Sequence, residues 1–240
     1  MKKLLIVILA FFAYLSNAQT FLAEDNDSSV KTEYHDDLLW AYQQIDDYVV
    51  GMTAYKEKDD YGKYYQIVIF IKNLSNASIL FIPDSVTATL MDKGGKDNEM
   101  KVYSYERYMK RVKRHQAWSM ALTGFALGMN AGMAGYQTTT STAYTYGGAP
   151  YLQTQTTYNY AAASAANMAA TSELMMLSQM MDDKRKTKSE GYLRKNTIHH
   201  DEGLLGYMNI KYKKGKKLKV NIPIGSHTFS FVWDVSKKKD

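Results

Sequence analysis

The four consecutive residues His199, His200, Asp201 and Glu202 are the one place in the sequence where ligand-type side chains crowd together. Imidazole and carboxylate are donors that divalent metals take, so this quartet is the metal-site candidate. Neighbouring side chains on an extended chain point to opposite faces, however. No His-x-His or His-x-x-x-His spacing exists to bring two imidazoles onto one ion. The favoured reading is a solvated turn ahead of a strand beginning at Gly203, and neither a metal nor a cofactor is expected. His35, His115 and His227 are isolated in sequence. The pairs Asp36-Asp37, Asp46-Asp47 and Asp59-Asp60 have the side chains that glycoside hydrolysis uses, but they read as loop charges. The glycines around Gly124 lack the strand-turn-helix setting and the lysine of a phosphate loop, and no serine elbow occurs. No residue is therefore assigned a catalytic role and the protein is expected not to be an enzyme. The twenty tyrosines leave a glycan-binding or hydrolytic domain as a distant reading, since exposed rings can stack on a sugar or a protein.

The elements that would position such residues follow from composition. The chain has 240 residues, 45% hydrophobic and 22% charged, with no cysteine and three prolines, which excludes collagen-like, disordered and disulfide-stapled classes. The net charge of +6 is distributed unevenly. Glu24 to Asp60 holds eleven acidic and three basic residues, whereas Lys211 to the end holds nine lysines and two aspartates. A basic balance of this size is compatible with ordinary solubility, and nucleic acid is not an expected partner. Between these regions, Gln116 to Ser172 runs for 57 residues without one Asp, Glu, Lys or Arg, so it answers to different physics from its flanks.

The flanks read as β-structure. Tyr64 to Ile71 is dense in β-branched and aromatic residues, and Val49 to Tyr55, Ser78 to Ile82, Val86 to Met91 and Met100 to Tyr103 are further strands. Gly203 to Tyr212, Lys217 to Pro223 and Thr228 to Val235 follow the insert. Phe229, Phe231 and Trp233 alternate with Thr228, Ser230, Val232 and Asp234, the period of a half-buried strand. Short strands at this spacing indicate an antiparallel sandwich. Asp36 to Asp47 suits either a helix face or a strand.

The middle reads as helix, connector, helix. Ser104 can cap a helix running to about Tyr136, and a second helix spans about Ala161 to Asp182. The first carries Gly124, Gly128 and Gly132 at four-residue spacing, and the second carries Ala162, Ala166 and Ala170. Each glycine costs a helix about 1 kcal/mol relative to alanine, so three on one face call for close approach of another backbone. These six residues form the expected interface, within one hairpin and between copies. Ten of the fourteen methionines lie between Met100 and Met181, where flexible side chains suit an imperfect apolar contact. Gln137 to Tyr160 is a connector or polar hairpin. Membrane insertion of the hairpin is the runner-up reading, opposed by positive charge at both outer ends and by the glycines and Asn130.

Met1 to Gln19 has the layout of a secretory signal: Lys2 and Lys3, an apolar run from Leu4 to Leu15, then Ser16-Asn17-Ala18. Cleavage after Ala18 gives an exported chain, periplasmic or extracellular. With no cysteine it is not a lipoprotein.

Three motifs carry a resemblance: Ile71-Lys72-Asn73-Leu74-Ser75-Asn76, Tyr103-Ser104-Tyr105-Glu106-Arg107-Tyr108, and Tyr192-Leu193-Arg194-Lys195-Asn196-Thr197 leading to Gly203. With the signal sequence they resemble uncharacterised exported proteins of Gram-negative bacteria, which implies an immunoglobulin-like sandwich over the flanks. Such proteins show a Pro-Gly turn where this chain has His200-Asp201-Glu202-Gly203. The insert is similar to glycine-zipper segments of envelope proteins. The expected protein is therefore mainly β with an α insertion: signal peptide 1–18, sandwich 19–103, helical hairpin insertion 104–190, last strands 191–236 and basic tail 237–240. Its expected role is non-enzymatic, with the hairpin mediating self-association or docking to an envelope protein or membrane surface.

Overall fold

A computed structural model describes residues 21–24, 30–35, 37–144 and 150–236. The expected signal peptide, the basic tail and Asp36 lie outside the described residues. The chain divides into two compact units, one of Met1–Lys110 with Ser189–Asp240 and the other of Arg111–Lys188. The protein is mainly β, with several antiparallel sheets and, among the described residues, two long helices.

The first unit contains β1 (Leu22–Ala23), β2 (Val30–His35), β3 (Leu38–Ile45), β4 (Tyr48–Asp59), β5 (Gly62–Asn73), β6 (Ile79–Phe81), β7 (Thr87–Met91), β8 (Asp97–Met100) and β9 (Val102–Tyr103). Helix α1 (Tyr105–Ala134) starts in this unit and continues into the second, which adds β10 (Tyr136–Tyr144), β11 (Pro150–Tyr158) and α2 (Tyr160–Ser189). The first unit then resumes with β12 (Asn196–Ile198), β13 (Gly203–Lys211), β14 (Lys217–Ile224) and β15 (His227–Asp234).

A six-stranded sheet runs β2-β3-β4-β5-β13-β9, a five-stranded sheet runs β1-β15-β14-β7-β8, and β6 pairs with β12. Residues 97–103 serve both large sheets. β8 pairs with β7, and one residue later β9 pairs with β13. The core draws Met52, Ile67, Ile69, Ile71 and Met208 from one sheet and Leu90, Val220, Phe229, Phe231 and Trp233 from the other, all at most 2% exposed. Burial of each such side chain contributes about 1.5–3 kcal/mol. Gln43 on β3 accepts a hydrogen bond from the Ser230 N–H on β15 (3.1 Å), and the Phe21 and Tyr65 rings meet edge to face. Turn chemistry fixes the register. Asp46, at φ 49°, closes the two-residue β3–β4 turn, and Gly225, at φ 58°, closes β14–β15.

The ambiguous stretch 36–47 is a strand from Leu38 to Ile45, because Leu39, Ala41 and Gln43 bury one face at a period of two. The connector is an antiparallel ribbon, β10 on β11, registered from Tyr136 opposite Tyr158 to Tyr144 opposite Pro150. Helix α2 extends past the expected Asp182 to Ser189, with Lys186 and Lys188 in its last turn, where cations favour the helix dipole. Its start is fixed by Asn159, whose Oδ1 accepts the Ala162 N–H (3.1 Å).

Candidate interaction surface

In the first unit, the outer face of the β4-β5-β13 segment presents Thr53, Tyr55, Gln66, Tyr207 and Asn209, and a cluster of tyrosine rings covers it. Tyr108, one turn into α1, stacks on Tyr192 at 5.0 Å and meets Tyr64 edge-on, while Tyr192 meets Tyr207 at 4.8 Å. The hydroxyls are committed. Tyr108 donates to Asp59 Oδ2 (3.0 Å). Tyr192 donates to the Tyr103 carbonyl (2.7 Å) and accepts the Asn209 N–H (3.2 Å). Burial raises the pKa of both hydroxyls, and the Asp59 charge raises that of Tyr108 further. Burial likewise pushes Tyr207 up to about 12. Arg194 lies 3.9 Å over the Tyr105 ring. Two of the three sequence motifs, around Tyr103–Tyr108 and Tyr192–Arg194, thus meet where the chain leaves and re-enters the first unit.

The third motif meets the histidine quartet. Asn73 is fully buried. Its amide donates to the Ala77 (2.8 Å) and Ile198 (3.0 Å) carbonyls, and its Oδ1 accepts from the Ser75 N–H (3.0 Å) and hydroxyl (2.7 Å). His199 Nδ1 lies 2.8 Å from Ser78 Oγ, and His200 Nδ1 lies 2.9 Å from the Ser75 carbonyl. Glu202 accepts the His199 N–H (2.9 Å), and Asp201 pairs with Lys72 at 2.6 Å. The Lys72 hydrogen bond and charge hold the Asp201 carboxyl below its usual pKa. Asp201, at φ 59°, occupies the left-handed region that glycine fills most readily and aspartate tolerates. The four side chains point to different partners, and no group of three or more His, Cys, Asp or Glu among the described residues could hold a metal ion. Of the acidic pairs, Asp46-Asp47 forms a turn. Asp59 Oδ1 accepts the Tyr61 and Gly62 N–H groups (2.9 and 3.0 Å) while its other oxygen holds Tyr108. His227 faces Asp46 at 3.2 Å and His35 faces Glu33 at 3.4 Å, so the fold does not gather the isolated histidines.

In the second unit, α1 and α2 run antiparallel. Buried Gln116 donates to the Met181 carbonyl (2.7 Å) and accepts from Arg185, Gly124 faces Leu174, and Gly135 faces Ala163, so contacts ascend one helix as they descend the other. The row of α1 turned inward is Gln116, Met120, Leu127 and Ala131. On α2 it is Ala163, Ala166, Ala170, Leu174 and Leu177. The expected packing of the glycine face onto the alanine face is not formed. Nothing lies within 4 Å of where a Cβ would sit on Gly128 or Gly132, and a Cβ on Gly124 would have Leu174 at 3.9 Å. Ala162 is half-buried beside the inward row. The tightly packed glycine is Gly135, where a Cβ would meet the Tyr158 ring at 2.5 Å.

The outward side of α1 carries Trp118, Leu122, Phe125, Met129 and Met133, followed by Tyr136 on β10, each more than half exposed. The five on α1 are spaced four, three, four and four residues apart, the spacing of one helix face. Sequence reading caught the glycines beside this face and missed the face itself, although its spacing was visible. Exposed Met168, Met175, Met176 and Met180 add apolar surface on α2. No described helix is long and apolar enough to cross a membrane. Comparison with known proteins returns no match to a family model, a curated protein or a solved structure.

Proposed function

We propose that this is a non-enzymatic exported envelope protein, an immunoglobulin-like sandwich bearing an inserted helical hairpin that mediates assembly or partner docking. The strand order supports the sandwich. β4-β5-β13-β9 follows the A-B-E-D order of an immunoglobulin sheet, and β15-β14-β7-β8 follows G-F-C-C′, with α1 and α2 between the D and E equivalents. The layout of Met1 to Gln19 supports export. The commitment of the clustered tyrosine, histidine and aspartate side chains to structural hydrogen bonds supports a role other than catalysis.

One observation carries the assembly role: a helix that buries one face inside its own unit presents a second row of large apolar side chains to solvent, from Trp118 to Met133. Soluble monomers rarely expose a continuous apolar patch beyond a few hundred Å². Gly128→Leu and Gly132→Leu add bulk to this open side without touching α2, so they test it cleanly. Light scattering on the full-length protein is expected to give a mass above one chain, or a stable complex with an envelope component, and the double variant is expected to lose it with unchanged circular dichroism. A monomer that binds nothing, or an assembly indifferent to the two leucines, overturns the proposal.

A further inference from the structure

We infer that α1 pairs with the α1 of a second copy of this chain, antiparallel about a two-fold axis at the level of Leu127. This deepens the proposed function and rests on it for the claim that the hairpin is the assembling part.

Three observations lead to a second copy rather than another occupant. The first is area. Six side chains, each more than half exposed, present together about 800 Å² at about 200 Å² per large side chain, which is close to what one partner contributes to a stable interface. The second is symmetry of size along the face. Counted outward from position 127 along α1, Phe125 balances Met129 and Leu122 balances Met133 to within one residue. On the small edge, Ala121 balances Gly132 to within one residue. An antiparallel two-fold pair sets each edge of a face against the same edge in reverse order, so large residues meet large and small meet small. This is the self-complementarity an isologous contact requires. Phe125 then faces Met129 of the second copy, a favourable sulfur–aromatic pair, and the open glycine edges let the two backbones approach. A lipid surface or an unrelated partner gives no reason for a face that matches its own reverse.

The third observation is charge. Arg107, Lys110, Arg111, Lys113 and Arg114 crowd the start of α1, while residues 116–172 carry no Asp, Glu, Lys or Arg. Parallel pairing would place five cations of each chain at one level. Antiparallel pairing about position 127 separates the two clusters, each lying past the Ala134 end of the other helix.

Because the chain has no cysteine, single introduced cysteines report contacts without background. Paired antiparallel, the two copies of residue 122 lie about 15 Å apart, beyond disulfide reach, while residue 122 of one copy sits at the level of residue 132 of the other. A mixture of Leu122→Cys and Gly132→Cys full-length proteins is expected to form a disulfide-linked dimer at least about ten-fold faster than either variant alone. Phe125→Asp is expected to return the protein to a monomer by light scattering with unchanged circular dichroism. If Leu122→Cys links to itself as readily as to Gly132→Cys, the antiparallel pairing is wrong and the assembling hairpin stands. If the dimer survives Phe125→Asp, the hairpin reading falls as well. A wild-type chain that stays monomeric and floats with anionic vesicles overturns the second copy in favour of lipid.

Discussion

Replacing Asn73 tests whether the loop that joins β5 to β6 is held by one side chain. Asn73→Ala removes two donated and two accepted hydrogen bonds. Each has a net worth of about 1 kcal/mol, and a buried group left without a partner costs about 1–3 kcal/mol. The Ala77 carbonyl keeps a bond from the Ser75 hydroxyl (3.0 Å), whereas the buried Ile198 carbonyl loses its amide partner. The expected loss is therefore about 3 kcal/mol, which lowers the melting temperature by roughly 6–12 °C in a protein of this size. Asn73→Asp keeps the shape but turns a carboxylate oxygen toward two carbonyls, so it is expected to cost more than alanine. Ser75→Ala, which removes the accessory bonds only, is expected to cost about 1 kcal/mol. Urea unfolding followed by the fluorescence of buried Trp233 gives all three values. If Asn73→Asp is as stable as the wild type, or Ser75→Ala costs as much as Asn73→Ala, the Asn73 amide is not what holds the loop.

The buried Tyr108 and Tyr192 hydroxyls keep their protons above the ordinary value of 10.0. The unfolded chain releases those protons first, so stability is full below about pH 10 and falls above it by about 2.7 kcal/mol per pH unit for the pair. Urea titrations on either side of that pH measure the slope, and a flat profile would contradict the burial argument. Asp201, held below 3.8 by Lys72, keeps its contribution above the unfolded value and loses it as pH falls through the folded one. Lys72→Met is expected to return the Asp201 carboxyl to an ordinary titration by NMR, and an unchanged titration would show that Lys72 is not the cause. Gly128→Ala with Gly132→Ala is expected to stabilise the isolated chain by about 1–2 kcal/mol while weakening its association. A variant that gains no stability, or that associates as well as the wild type, would show those glycines to be inert.

What was legible in the sequence follows from range. Strands with strong local signals, such as Phe229-Ser230-Phe231-Val232-Trp233, lie in β15 with the expected alternation of burial. The helices are found to within a residue or two at three of their four ends. The partners of the motifs were not legible, because Asn73 meets Ile198, and Tyr108 meets both Asp59 and Tyr192, across chain separations that composition does not encode. The departure of Gly128 and Gly132 from the α2 side has a geometric cause. A helix turns about 100° per residue, so four-residue spacing drifts about 40° at each step. Gly124 begins on the side facing Leu174, and Gly128 and Gly132 rotate progressively away from it. A repeat that looks like one stripe in sequence is a ramp from the inner face to the outer one.

That ramp alters what the glycines mean. Had all three lain under α2, close packing inside the hairpin would account for their cost and leave assembly unargued. Two of them face open space, so about 2 kcal/mol of helix propensity is given up with nothing among the described residues packed on them to offset it. The same turns of α1 leave Leu122, Phe125 and Met129 in water, which is unfavourable for a separate reason. Two independent costs on one face, in a helix whose other face is already packed, have a single common remedy in a surface that covers both the large row and the small edge. The tyrosine cluster sharpens the contrast, since every hydroxyl traced through it finds a partner within the first unit. Those hydroxyls are taken up within the first unit, whereas the large apolar side chains on the outward side of α1 stand more than half exposed.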